Sequence, residues 1–301
     1  MTQPVLHTYE LTKKYGDFAA LDRVSLTLNQ GEIYGLIGRN GAGKTTFFKC
    51  VMGLAKPTSG TVSIHGEKNN LSAARRQMGF MINPSFFPYL NAKENLQYLC
   101  RVKGIKTKGE VERLLKLVEL DGVKKPFKAF SLGMKQRLGI AGALLGSPSI
   151  VVLDEPINGL DPQGIIDMRN VIKSIHEQTG TTFIISSHIL SELDLMATQF
   201  GFIDHGILLK EITHTDLHEH TKKSLAIEVN DISKAQAILK SIGIDNASTN
   251  GNILRLESHL DKSNEIARAL INGGVEVYDL HRQETTLEEY FIRLVGGAEN
   301  A

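Results

Sequence analysis

The residues with the clearest chemical potential form a glycine-rich loop. An apolar run, Ile33 to Ile37, leads directly into the segment Gly-Arg-Asn-Gly-Ala-Gly-Lys-Thr-Thr at positions 38–46. This is the pattern G-x-x-x-x-G-K-[ST] between a strand and a helix, where backbone N–H groups and the positive helix end face an anion. We therefore expect this loop to bind nucleotide phosphates through Gly38, Arg39, Asn40, Gly41, Ala42, Gly43, Lys44, Thr45 and Thr46.

Two side chains of the loop add to this backbone cradle. Lys44 carries a positive charge suited to the β and γ phosphates, and the hydroxyl of Thr45 is suited to a Mg²⁺ ion. The alternative is a glycine-rich turn that contains Lys-Thr by accident. A second segment of the chain, which carries the matching carboxylates, argues against that alternative.

The second segment reads Ile-Val-Val-Leu-Asp-Glu-Pro at positions 150–156. Its unbroken apolar run predicts a strand that is buried on both faces. Asp154, at the end of this strand, is predicted to hold Mg²⁺ directly or through water. Glu155 is the candidate group that orients and deprotonates an attacking water. Alone, the two carboxylates could form an exposed acidic turn, but beside the phosphate loop they predict nucleotide hydrolysis.

Three further motifs occur in a fixed order around these carboxylates. Phe-Ser-Leu-Gly-Met-Lys-Gln-Arg occupies 130–137, Asn-Gly-Leu-Asp-Pro occupies 158–162, and Ser-Ser-His occupies 186–188. With this set of motifs, the chain resembles the ATP-binding cassette (ABC) ATPases over about residues 3–215. The resemblance implies an α/β fold, namely a P-loop NTPase core of ABC type with a mixed sheet and an inserted helical subdomain.

The resemblance also implies how the site is completed. Two copies of the cassette would close on ATP as a homodimer or pseudo-dimer, with Ser131 and Gly133 of one copy at the γ-phosphate held by the other. His188 matches the switch histidine of the family, and Tyr15 matches the aromatic residue that stacks on adenine. Asp161 belongs to the nucleotide-binding set and, being followed by proline, is also predicted to cap a helix.

Three positions depart from the family pattern. The stretch Gly-Phe-Met-Ile-Asn-Pro at 79–84 carries Asn83 where most members carry glutamine. Asparagine keeps the amide but loses the reach of one methylene. We therefore expect Asn83 to contact the metal or its water only through an intervening water, if at all. Leu132 and Met134 also replace the usual glycine and glutamine, whereas Ser131 and Gly133 remain.

The full-length pattern looks like the bacitracin-resistance and lantibiotic-immunity branch of the family. The segments that show this resemblance are the phosphate loop, the stretches beginning at Phe130 and Ile185, and the tail Thr-Leu-Glu-Glu-Tyr-Phe at 286–291. This branch implies an ATP-hydrolysing exporter subunit that drives efflux of a peptide antibiotic through separate transmembrane permease subunits. The alternatives are the ATPase of an ABC transporter for an ion, lipid or drug, and a soluble ABC ATPase acting on ribosomes or nucleic acid.

The charge balance, the cysteines and the apolar runs of the chain bear on these alternatives. The chain has 34 basic and 33 acidic residues, a net charge of +1, and this balance argues against broad nucleic-acid binding. Its two cysteines, Cys50 and Cys100, form no C-x-x-C pair, which is typical of a reduced cytosolic protein. The sequence has no signal-peptide pattern and no apolar run of ~18 residues. We expect a cytoplasmic protein, held peripherally at the inner face of the cell membrane by the permease subunits.

The pattern along the chain predicts two domains. We expect a nucleotide-binding domain at 1–215, with its helical subdomain at about 85–148, a linker at 216–223 and an accessory α+β domain at 224–301. The order β-α-β-β-α-β, with Asn250-Gly251 as a hairpin signal, predicts a ferredoxin-like fold for this accessory domain. His214 and His218, four residues apart in a polar stretch, could bind a metal, although solvated histidines are the simpler interpretation.

Overall fold

In the computed structural model, the strand that leads into the glycine-rich loop lies inside a six-stranded sheet. The structure describes residues 3–68, 71–105, 109–220, 223–244, 247–256, 258–284 and 287–298. The chain divides into one unit of Met1–His214 with Leu294–Ala301, and a second unit of Thr215–Arg293. The strands of the first unit are β1 (Pro4–Tyr15), β2 (Phe18–Asn29), β3 (Ile33–Ile37), β4 (Ser59–Ile64), β5 (Met78–Met81), β6 (Ile150–Asp154), β7 (Thr182–Ser187), β8 (Gln199–Asp204) and β9 (Ile207–Thr213).

The six-stranded sheet has the order β5-β6-β7-β3-β8-β9. Its first five strands run parallel, and β9 pairs with β8 in the antiparallel direction, so the predicted mixed sheet is confirmed. All residues of β3 and β7 are buried, as their unbroken apolar runs predict for strands covered on both faces. The carboxyl ends of β3 and β6 therefore bring the phosphate loop and Asp154 to one edge of the sheet.

A separate antiparallel sheet, of order β2-β1-β4, packs on the same core. In β2 the side chains of Val24, Leu26 and Leu28 are buried, while Ser25 is exposed. This alternation is the expected pattern for a strand with one face on the core. The predicted antiparallel element beside the central sheet is confirmed.

Helices connect the strands of the first unit. Between β5 and β6 the described residues hold three α-helices and a short 3-10 helix (Phe127–Ala129), in the region predicted as the helical subdomain. The helices up to residue 220 are α1 (Lys44–Met52), α2 (Leu71–Arg75), α3 (Ala92–Lys103), α4 (Glu110–Leu117), α5 (Leu132–Leu144), α6 (Pro162–Thr179), α7 (Leu190–Asp194) and α8 (His214–His220).

The predicted helix ends are confirmed at four positions. Asn91 and Glu94 form both hydrogen bonds of a capping box at the start of α3. Ser131 caps α5, and Asp161 caps α6 ahead of a proline. Gly180 ends α6 with a φ of 65°, a left-handed conformation that glycine adopts without steric cost.

The second unit has its own sheet and its own apolar core. The sheet order β11-β12-β10-β13, with antiparallel neighbours throughout, is the ferredoxin-like arrangement predicted from the sequence. The remaining elements are β10 (Lys223–Val229), α9 (Ile232–Ser241), β11 (Ala247–Asn250), β12 (Ile253–Leu256), α10 (Ser263–Asn272), β13 (Val277–Glu284) and α11 (Leu287–Ala298).

Three details of the C-terminal part differ from the sequence prediction. The hairpin turn is formed by Gly251 and the following residue, because Asn250 pairs with Ile253 as the last residue of β11. The last strand begins at Val277 and continues to 284, beyond the predicted end at Tyr278. Part of the predicted linker is helical, since α8 spans 214–220 and Leu217 gives it a fully buried anchor.

Candidate active site

The backbone of the phosphate loop is fixed by glycines that no other residue could replace without strain. Gly43 caps α1 with a φ of 109°, and Gly41 has a φ of 85°. A Cβ atom on Gly43 would lie 2.7 Å from the carbonyl oxygen of Ala20, and one on Gly38 would lie 2.4 Å from that of Ile203. The glycines therefore permit both the curl of the loop and its close packing.

The ammonium group of Lys44 lies inside this loop. Its Nζ donates to the carbonyl oxygens of Gly38 at 2.6 Å and Arg39 at 3.1 Å. It also lies 3.1 Å from Oε1 of Glu155, with 6% of the lysine side chain exposed. A buried cation thus stands at the N-terminus of α1, where the helix dipole adds to its attraction for anions.

Oxygen atoms suited to a magnesium ion meet beside the lysine. The hydroxyl of Thr45 donates to Oδ2 of Asp154 at 2.7 Å, and the hydroxyl of Ser186 donates to Oδ1 at 2.7 Å. Hydroxyl and carboxylate oxygens are the ligands that Mg²⁺ prefers. Thr45 and Asp154, which were assigned to the metal from sequence, are therefore adjacent and fit that ion chemically.

Glu155 links three parts of the site. Its Oε2 lies 2.8 Å from Nδ1 of His188, its Oε1 faces Lys44, and its backbone N–H donates to Oγ of Ser186 at 2.9 Å. The residue has a φ of 51°, an uncommon backbone conformation for glutamate. Such a conformation persists only where the surroundings hold it, and here it directs the carboxylate toward both the loop and His188.

A cavity of about 210 Å³ opens over the loop. It brings together most of the predicted phosphate-binding residues with Glu155. Phe18, which was not among the predicted site residues, also lines it, whereas Tyr15 does not. Tyr15 is 50% exposed, and Nζ of Lys13 lies 4.7 Å from its ring centroid. The stacking of Tyr15 on adenine stays a prediction. The lining residues are Phe18, Ala20, Asn40, Gly41, Ala42, Gly43, Lys44, Thr45, Thr46 and Glu155.

Ser131 and Gly133, which were predicted to reach the partner's nucleotide, line a different cavity. This cavity, of about 410 Å³, includes Ser131, Gly133 and Asp161 and shares no lining residue with the one over the phosphate loop. The hydroxyl of Ser131 accepts from the backbone N–H of Met134 at 3.3 Å, and Asp161 accepts from that of Gly164 at 3.2 Å. Within one chain, the two predicted halves of the site are thus separate.

Asn83 lies in the segment between β5 and α3. Its side chain is exposed, its φ is 44°, and it lines neither of these two cavities. Asparagine tolerates a left-handed backbone better than most residues. A water-mediated contact of Asn83 with a metal ion stays a prediction.

Three further residues belong to the site geometry, although sequence reasoning assigned them no role. Ser186 is fully buried and joins Asp154 to the backbone of Glu155. Phe18 is the cross-strand partner of Tyr15 in the β1–β2 hairpin, a pairing that the short turn between them could have revealed. Burial raises the pKa of the Glu192 carboxyl, while nearby His188 lowers it.

The fold and the site together define a nucleotide-binding protein of the P-loop class. A family model described as ABC transporter matches residues 21–158. The chain is 40% identical over 299 residues to the bacitracin transport ATP-binding protein BcrA of Bacillus licheniformis, covering 97% of this chain and 98% of that protein. It is also 40% identical over 208 residues to the lantibiotic transport ATP-binding protein SrtF of Streptococcus pyogenes, covering 69% and 90%.

Solved structures give the same family. A dimeric bacterial ABC transporter cassette matches with a TM-score of 0.63 and 27% identity, over 69% of this chain and 98% of that chain. A cassette described as a dimeric post-hydrolysis state bound to ADP and Pi matches with a TM-score of 0.62 and 26% identity, over the same shares. The chain belongs to the ABC transporter ATP-binding family and is an ATPase subunit that binds ATP. Among the described residues, no helix is long and apolar enough to cross a membrane.

Proposed function

We propose that this chain is the ATP-hydrolysing subunit of an exporter for a peptide antibiotic such as bacitracin or a lantibiotic. The observation that supports the substrate class most strongly is the likeness to BcrA over 97% of this chain, since it includes the C-terminal unit as well as the cassette. The geometry around Lys44 and Glu155 supports the catalytic part. The substrate class and the catalytic role therefore rest on different observations and can be tested separately.

In the proposed mechanism, the phosphate loop and Lys44 bind the β and γ phosphates of ATP. Lys44 must then exchange its 3.1 Å contact with Glu155 for phosphate oxygens. The freed carboxylate of Glu155 accepts a proton from the attacking water, while His188, 2.8 Å from that carboxylate, orients it. The attack is in line with the departing ADP, and positioning and charge stabilisation supply most of the rate acceleration.

Magnesium would be held by Thr45 and Asp154. When bound, the ion neutralises charge on the phosphate oxygens. The hydrogen bond from Ser186 to Oδ1 of Asp154 leaves the other carboxylate oxygen, 2.7 Å from the Thr45 hydroxyl, turned to the loop. Ser186 would therefore orient the metal-binding carboxylate and the backbone of Glu155 at the same time.

The complete site would need two copies of the chain. Ser131 and Gly133 line a cavity that is separate from the phosphate loop of the same chain, so they are available to a nucleotide held by another copy. Ser131 begins a helix of 13 residues, whose N-terminus favours a phosphate group. ATP-driven closure of a homodimer or pseudo-dimer is therefore part of the proposal.

An aromatic groove beside Asn83 is the proposed contact for the permease subunits. Phe80, Phe87 and Tyr98 are 43–48% exposed, and the rings of Phe87 and Tyr98 meet edge to face at 4.7 Å. Two neighbouring cavities share Phe86 and Leu99 along this groove. Contiguous exposed apolar groups mark interaction surfaces. This contact would hold the protein at the inner face of the membrane and transmit closure of the cassettes.

Antibiotic resistance in a sensitive bacterium tests the proposal. The chain and its membrane subunits are expressed together, and minimal inhibitory concentrations are measured for bacitracin, a lantibiotic and an unrelated small drug. We expect the wild type to raise resistance to at least one of the peptides, and Lys44→Ala to abolish the increase. Lys93→Gln, which removes an exposed ion pair with Glu112, is the matched control. An ATPase-active complex that protects only against the small drug would contradict the proposed substrate class.

A further inference from the structure

One arginine joins three helical elements of the first unit. Nη1 of Arg137 donates to Oε2 of Glu119 at 2.5 Å, and Nη2 lies 3.4 Å from Oδ2 of Asp167. Only 15% of the arginine side chain is exposed. Arg137 lies in α5, Glu119 follows the end of α4, and Asp167 lies in α6. The planar guanidinium presents its donors in a fixed fork, so it can fix the relative orientation of all three elements.

Glu119 occupies a backbone position that a glutamate rarely adopts. Its φ is 56°, and it stands immediately after Val118, the C-cap of α4. Glycine or asparagine is strongly favoured at this position, because other residues pay a steric cost. The backbone of Glu119 therefore has a strained φ, and the described partner of its carboxylate is Arg137.

Asp167 connects the same arginine to the start of α6. Its Oδ1 accepts from Nε2 of Gln163 at 2.7 Å, and its Oδ2 faces Arg137. Arg137 is six residues beyond Ser131, the cap of α5, and Asp167 is six residues beyond Asp161, the cap of α6. The cavity of about 410 Å³ between the two helix starts is lined by all four of these residues.

We propose that Arg137 is a positioning residue for the nucleotide site of the partner copy. By binding Glu119 and Asp167 together, it would hold the starts of α5 and α6 in the orientation that presents Ser131 and Asp161 to the partner. This inference rests on the proposed two-copy site. Arg137 does not line the cavity over the phosphate loop of its own chain. Loss of Arg137 should therefore weaken closure of the dimer and leave ATP binding to the single chain intact.

The test uses the full-length chain in a Glu155→Gln background, in which we expect ATP-bound dimers to accumulate. Dimer formation is followed by light scattering during titration with Mg-ATP. Arg137→Gln should raise the ATP concentration for half-maximal dimer by about tenfold, the range of single residues that modulate coupling between sites. ATP binding to the monomer, measured with a fluorescent ATP analogue at low protein concentration, should stay unchanged. Lys93→Gln, which breaks an ion pair between α3 and α4, is the control.

Two further measurements separate positioning from general destabilisation. With Glu155 intact, the lost ATPase activity of Arg137→Gln should recover when protein concentration is raised, because only dimer assembly is impaired. Asp167→Asn should produce a smaller shift, and the double variant Arg137→Gln/Asp167→Asn should be no worse than Arg137→Gln, since both changes break one interaction. Asp167 is 39% exposed, so its variant should fold even where the arginine variant does not.

The outcomes are distinct. A normal dimerisation midpoint in both the Arg137 and the Asp167 variants would overturn the positioning role while leaving the two-copy site intact. Additive shifts of the dimerisation midpoint in the double variant would also overturn the positioning role and leave the two-copy site intact. Failure of the Glu155→Gln parent to dimerise with ATP would contradict both this inference and the proposed two-copy site.

Discussion

The carboxylate of Glu155 contacts two functional side chains. Its two oxygens face Lys44 at 3.1 Å and His188 at 2.8 Å. In the proposed mechanism the γ-phosphate of ATP binds the same lysine, so nucleotide binding would replace the carboxylate with phosphate oxygens at Nζ. This exchange would release the proposed general base at the step in which ATP arrives.

Among single residues, Asn83 is exposed and does not line the cavity over the phosphate loop. We therefore expect it to contribute little to hydrolysis. Asn83→Ala should reduce ATPase activity by less than tenfold, a loss of transition-state stabilisation below ~1.4 kcal/mol. Steady-state hydrolysis by the purified chain measures this, with Lys44→Ala as the inactive reference. A loss as complete as that of Lys44→Ala would make Asn83 a direct catalytic group.

At the scale of elements, a partly buried hydrogen bond joins the strand that leads into the phosphate loop to the edge strand β9. The hydroxyl of Tyr34 in β3 donates to Oε1 of Glu211 in β9 at 2.7 Å. Burial raises the pKa of the Tyr34 hydroxyl, which therefore stays a donor. Burial also raises the pKa of Glu211, while the hydrogen bond from Tyr34 lowers it by less. The folded state thus disfavours the ionised form of Glu211.

The sign of this pKa shift gives a pH-dependent prediction. In the unfolded chain the Glu211 carboxyl titrates near its ordinary pKa of 4.5. Partial desolvation of the ionised carboxylate costs free energy above the raised folded pKa, and this cost disappears as pH falls toward 4.5. Glu211→Gln removes the charge but keeps an acceptor for Tyr34. Its thermal midpoint should therefore exceed that of the wild type at pH 7.5, and the difference should shrink on acidification. The exposed Glu177→Gln is the control, and a difference that grows toward pH 5 would contradict the assignment.

Sequence patterns predicted most of the elements that position the site, for reasons visible in particular residues. The G-x-x-x-x-G-K-[ST] loop, the capping box at Asn91 and the Asp161-Pro start of α6 are local signals, and the structure confirms those local geometries. Interactions between distant segments carried no such signal. The bridge from Ser186 to Asp154 and the clamp of Arg137 on Asp167 join residues 30 or more positions apart, and only the folded chain brings them together.

At the scale of the whole molecule, we predict that nucleotide binding does not need the C-terminal unit. The phosphate loop, Asp154, Glu155 and His188 all belong to the first unit, while the second unit has its own apolar core. Domains with their own cores can fold alone. The accessory role of the second unit, in regulation or in support of the dimer, stays a proposal.

A shortened chain tests this separation. Residues 1–214 alone should retain binding of ATP, and residues 215–293 alone should fold without binding nucleotide. Calorimetric titration with Mg-ATP measures binding, and circular dichroism verifies folding of each piece. A folded chain of residues 1–214 that binds no ATP would show that the C-terminal part completes the site.

The most direct test of the account is the behaviour of full-length Glu155→Gln with Mg-ATP. If Glu155 activates water at a site completed by a second copy, the variant should bind ATP, lose ~10²–10⁴-fold in turnover and elute as a dimer only when ATP is present. Size-exclusion chromatography with light scattering and a phosphate-release assay on the same sample measure both properties. Turnover at the wild-type rate, or a variant that binds ATP and remains monomeric, would contradict the central claim.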